Sequence, residues 1–77
     1  MNKKTKQQLE KIKSDLEVIK GKLEDIRDEE QETFDGRSEK YQDSDNGTDD
    51  AQNISDLDDN ITQLESVESN LNEIIER

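Results

Sequence analysis

Residues 9–26 read LEKIKSDLEVIKGKLEDI. Their apolar side chains fall at Leu9, Ile12, Leu16, Ile19, Leu23 and Ile26, in alternating steps of three and four. A spacing that averages 3.5 residues keeps all six on one stripe of an α-helix, with Leu at heptad position a and Ile at d. Gly21 falls at f, on the outer face. It weakens the helix by about 1 kcal/mol relative to alanine without ending it. The same steps return in residues 54–75, ISDLDDNITQLESVESNLNEII. Here Ile54, Leu57, Ile61, Leu64, Leu71 and Ile75 hold the stripe, and Glu68 stands where an apolar residue is due.

Two such segments joined by a connection predict an all-α fold, an antiparallel, coiled-coil-like αα-hairpin. Thr5 and Gln8 read as a capping box for the first helix. Thr48 reads as the N-cap of the second, with Asp49 and Asp50 at its positive end. The expected division is one helical-hairpin domain: a helix over about 5–33, a connection over about 34–48 and a helix over about 49–76. The connection holds two of the three glycines, an Asn46-Gly47 turn signal and both aromatic residues, Phe34 and Tyr41. Two aromatic rings in a free loop would leave apolar surface in water, so the connection is expected to be ordered. A short helical turn capped by Ser38 is expected near 38–43.

Charge and apolar pattern select one register. In an antiparallel pair the e positions of the two helices face each other. Those rows are Lys13, Lys20 and Arg27 on the first helix and Asp58, Glu65 and Asn72 on the second. Pairing Arg27 with Asp58, Lys20 with Glu65 and Lys13 with Asn72 also aligns the layers Ile12–Ile75, Leu16–Leu71, Leu23–Leu64 and Ile26–Ile61. Two carboxylates misfit, Glu68 opposite Ile19 and Glu30 opposite Leu57. Either their long side chains reach water or they help to fix register and partner choice. Val67 and Ile74 at g, and Val18 at c, lie along one flank beside the seam. With Leu71 they are the expected oligomer interface, because a two-helix hairpin of this size supplies little burial by itself. The expected assembly is a helical-bundle homo-oligomer.

Composition sets the limits on function. The 77 residues carry 22 acidic and 11 basic side chains, a formal net charge of −11, with 25% hydrophobic residues and no Cys, His, Pro or Trp. These values lie close to the disordered class, and only the periodicity argues for a fold. Disulfides and Cys/His zinc sites are excluded. No nucleophile–base set or glycine-rich phosphate loop is present, so neither catalysis nor a cofactor is expected. Asp43, Asp45, Asn46 and Gly47 superficially suggest a calcium loop, but its glycine comes one residue early and Ile54 stands where the closing Glu belongs. No metal site is expected. No signal peptide or membrane-spanning run is read, so a cytoplasmic location without membrane contact is expected. Residues 1–22 hold seven lysines against three acids, while residues 23–77 hold four basic residues against nineteen acids. That imbalance suggests attraction between the halves. It does not suggest direct nucleic-acid binding, since no aromatic residue interleaves the lysines and the remaining acid repels phosphate.

The stretch Asp28-Glu29-Glu30-Gln31-Glu32-Thr33-Phe34-Asp35, then Ser38-Glu39-Lys40-Tyr41-Gln42-Asp43-Ser44, then Gly47, resembles a pattern in small acidic helical proteins of tailed bacteriophages and prophages. The resemblance covers about residues 25–77, and Ser38 and Gly36 replace the usual proline and asparagine. It implies a phage context, hence the cytoplasm of a host cell. By analogy with small non-enzymatic phage proteins, it also implies a counter-defence role. The leading expectation is a protein that binds and blocks a host protein, its acidic rod imitating the charge of duplex DNA. Specificity would lie in the connection, at Phe34, Arg37, Lys40, Tyr41, Gln42 and Ser44. Two alternatives stand beside it. One is an oligomer sequestering a nucleotide signal, with Arg37 and Lys40 on phosphate and Tyr41 stacked on the base. The other is a structural or assembly role in the phage particle.

Overall fold

Asn2 opens the first helix, its Oδ1 accepting the Thr5 backbone N–H at 2.8 Å. Thr5, expected to be the cap, lies inside the first turn, because Asn2 already satisfies a free N–H there. In the computed structural model, which describes residues 1–77, α1 spans Lys3–Asp35, α2 spans Glu39–Gln42 and α3 spans Asp45–Glu76. The chain contains no strand. Helices α1 and α3 pack antiparallel along a rod of 58 × 15 × 13 Å.

The connection is shorter than the expected 34–48. Helix α1 runs on to Asp35, and the Gly36 N–H donates to the Glu32 carbonyl at 3.1 Å. Helix α3 begins four residues before the expected 49, because Ser44 is its N-cap and accepts the Gly47 N–H at 3.2 Å. Thr48 therefore caps nothing, and its hydroxyl donates back to the Ser44 carbonyl at 3.1 Å. Both residues are suitable caps. Ser44 adds one more helical turn of satisfied backbone, with Asp45 placed favourably in the first turn.

The expected register is present. Arg27 Nη1 donates to Asp58 Oδ1 at 3.0 Å, and Lys13 Nζ donates to Asn72 Oδ1 at 2.8 Å. Ile54 and Ile61 are the buried core, at 6% and 4% exposure. Leu9, Leu16 and Leu23 are half-buried, whereas Ile12, Ile19 and Ile26 keep 47–49% of their surface in water. Two helices enclose only the strip between them, so one flank of the seam stays open.

The middle pair departs from expectation. Lys20 Nζ reaches Glu68 Oε2 at 3.3 Å instead of Glu65. The Glu68 side chain is only 12% exposed. A desolvated carboxylate gains more from a cation than a hydrated one does, so the lysine turns inward and leaves Glu65 to water. Glu30, the other acid in the seam, is exposed. The hydrogen bond it donates to Glu68 holds the Lys20 ammonium above its ordinary pKa, and bonds donated to Asp58 and Asp28 do the same for the Arg27 guanidinium. Glu68 Oε1 is buried without a partner.

Glu68→Leu is therefore expected to raise the thermal midpoint. It completes the layer with Ile19 and removes the unpartnered oxygen, and replacing a buried ion pair by an apolar side chain is often stabilising. Lys20→Leu alone is expected to lower the midpoint, because Glu68 is left charged and unpaired. Helical melts followed by circular dichroism distinguish the two outcomes.

Candidate functional site

The bend at the closed end of the rod is built from backbone first. Ser38 is extended (φ −64°, ψ 155°) and its hydroxyl accepts the Tyr41 N–H at 3.2 Å, capping α2 as expected. Asp43 N–H donates to the Glu39 carbonyl, and Ser44 N–H donates to the Tyr41 carbonyl, both at 3.0 Å. The start of α3 then presses against the end of α2 at Gly47, which is buried. A Cβ there would lie 2.1 Å from the Tyr41 carbonyl oxygen and 2.5 Å from that of Gln42. No residue of the chain has positive φ. Gly47 is thus required for close approach, and the turn expected at Asn46-Gly47 is replaced by the first turn of a helix.

The six expected binding residues are brought together here, in two groups. Gln42 and Ser44 hold the bend. Gln42 Nε2 donates to the carbonyls of Phe34 (2.9 Å) and Arg37 (3.3 Å), tying the end of α1 to α2. Ser44 Oγ donates to the Tyr41 carbonyl while it caps α3. Phe34 is half-buried behind them. Arg37, Lys40 and Tyr41 form the outward part. The Arg37 guanidinium lies 4.6 Å from the Tyr41 ring centroid, a cation–π distance. Tyr41 Oη donates to Asp50 Oδ2 at 2.7 Å. That bond, together with burial and the Asp50 charge, raises the tyrosine pKa, with Arg37 opposing. Lys40 is exposed.

The same short segment exposes two cations, Arg37 and Lys40, and four acids, Glu39, Asp43, Asp45 and Asp49. One face of the Tyr41 ring, on which a nucleotide base could stack, is covered by Arg37. Asp50 was not foreseen as a member of the site, because nothing in its spacing from Tyr41 signals a contact across two helices. Comparison of the chain with protein-family models, with curated proteins and with solved structures gives no match. No helix is long and apolar enough to cross a membrane.

Gly47→Ala is expected to destabilise the hairpin by about 1–3 kcal/mol, since the new methyl meets backbone atoms that cannot turn aside. Gly21→Ala, with open space around the added carbon, is expected to stabilise it by about 0.5–1 kcal/mol. Urea titrations of the two variants measure the contrast. The raised Tyr41 and Lys20 pKa values place their stabilisation below the unfolded values, near pH 10. Wild-type stability is therefore expected to fall as pH rises beyond about 10. Tyr41→Phe should be less stable at neutral pH and show a shallower alkaline decline.

Proposed function

We propose that the protein is a non-enzymatic phage accessory protein that acts against host defence by binding and blocking a host protein. The acidic half of the rod would engage a basic surface on that target. The observation that carries this reading is the charge of the closed half. Residues 27–60, which build the bend and the adjoining helix ends, hold thirteen acidic and three basic side chains on a body 15 × 13 Å thick. Close-set carboxylates on a stiff helical rod give a field that steers a basic partner into place, as duplex DNA does. The internally bonded bend supplies a fixed base from which Arg37, Lys40 and Tyr41 discriminate among such partners. The phage context is supported by the residue pattern from Asp28 to Gly47, and the mode of action by the charge distribution.

A tagged full-length chain incubated with bacterial lysate at physiological salt is expected to retain a discrete protein with a basic surface. Retention should weaken as salt is raised, because exposed charges more than about 10 Å apart are largely screened at 0.1 M. It should be lost in an Asp45→Lys/Asp49→Lys variant. Recovery of no specific protein, or retention indifferent to both salt and charge reversal, would overturn the reading.

A further inference from the structure

The two flanks of the hairpin seam are finished differently. The e flank is closed by Lys13–Asn72, Lys20–Glu68 and Arg27–Asp58. The opposite flank, formed by the c, g and d rows of α1 and the c and g rows of α3, is open. It carries the half-exposed Ile12, Ile19 and Ile26, together with Val18 at 59% and Val67 at 43% exposure. Over residues 57–76 the α3 side of this flank presents Asn60, Gln63, Val67, Asn70 and Ile74, with no charge among them, in a chain that is 43% charged; the charges of these rows, Asp49 and Asp56, lie toward the bend. Depletion of charge over apolar residues marks the centre of an interface more reliably than apolarity alone. An open groove of about 630 Å³ beside Lys4, Gln8, Leu9 and Ile12 continues the same face toward the start of α1.

The charges on α1 identify what covers this face. Its c row reads Lys4, Lys11, Val18, Asp25, Glu32, all exposed. The row is antisymmetric about Val18, with two cations before it and two anions after it. Reversing a second copy of α1 about Val18 sets Lys4 against Glu32, Lys11 against Asp25 and Val18 against itself. In the neighbouring g row the same operation brings Asp15 within one residue of the level of Lys22. Within one chain Lys11 bonds Asp15, so the copies would widen an existing network. Surface area permits such a pairing. The chain exposes 5777 Å², whereas a folded monomer of 8.9 kDa is expected to expose about 4,800 Å². The surplus belongs to the 58 × 15 × 13 Å rod shape, which leaves enough lateral surface for the roughly 800 Å² that each partner contributes to a standard interface.

We propose that two copies pair through this flank about a two-fold axis at Val18, with their α1 helices antiparallel and their bends at opposite ends, forming a four-helix bundle. The axis perpendicular to the rod separates the two acidic bends. It also brings residues 1–11, with four lysines and one glutamate, beside the acidic half of the other copy. An arrangement with both bends at one end would stack like charge on like charge.

Light scattering after gel filtration at tens of micromolar is expected to give twice the 8.9 kDa chain mass. Val18→Glu is expected to raise the dimer dissociation constant at least tenfold while helicity is retained, since this side chain has no role inside one hairpin. The chain lacks cysteine, so introduced thiols report orientation without background. Under mild oxidation Val18→Cys should cross-link to itself. Lys4→Cys and Glu32→Cys should each remain single alone and cross-link when mixed. A monomer throughout this concentration range overturns the proposal and assigns the face to a different partner. Self-cross-linking of Lys4→Cys overturns the antiparallel arrangement.

Discussion

Two helices lying side by side share a single strip, and the register of that strip determines every contact between them. Here the register is held by apolar layers and by one row of polar pairs that agree with each other. Ile54 and Ile61 are the only large side chains that are buried, and each still keeps a few per cent of its surface in water. At about 25 cal/mol per Å² of apolar surface, so small a core leaves little margin for error in alignment. A shift of one heptad would separate Arg27 from Asp58 and Lys13 from Asn72. It would also move Glu68 away from Lys20, its only cation. The ion pair in the middle of the seam is therefore more informative about alignment than about net stability, the use for which buried polar groups in coiled coils are best attested.

The same thin core explains the division of labour around the rod. One flank of the seam is sealed by hydrogen-bonded polar pairs, the other keeps isoleucine and valine in contact with water, and the bend carries the varied side chains. Arg37, Tyr41 and Asp50 form a connected set at the bend, while Gln42 and Ser44 hold the backbone beneath it. Surface chemistry and structural support are thus assigned to different residues within one short segment.

The long helices and their alignment were legible in the sequence because period and charge are properties of whole rows, which survive local detail. The short helix capped by Ser38 was legible for a different reason, that a cap is a local signal. The helix ends were less so. Ser44 and Thr48 are equally acceptable caps in isolation, and only the packing of α3 against α2 decides between them. Gly47 was visible as a glycine, but its role came from the Tyr41 and Gln42 carbonyls pressed against it, a contact no linear pattern encodes. The exchange of Glu65 for Glu68 as the partner of Lys20 followed from burial. Heptad position predicts which residues are neighbours, whereas desolvation decides which neighbour the lysine chooses.

The bend also determines the order in which the molecule can assemble. Its hydrogen bonds join residues no more than nine apart, whereas those between the long helices join residues 31, 48 and 59 apart. Closing the short loops costs the least chain entropy, and each layer then formed shortens the loop that the next must close. Loop entropy alone therefore favours a zipper order that starts at Gly47 and Tyr41 and runs toward Lys13 and Asn72. Changes at the bend should act on the rate of folding, and changes at the far end on the rate of unfolding.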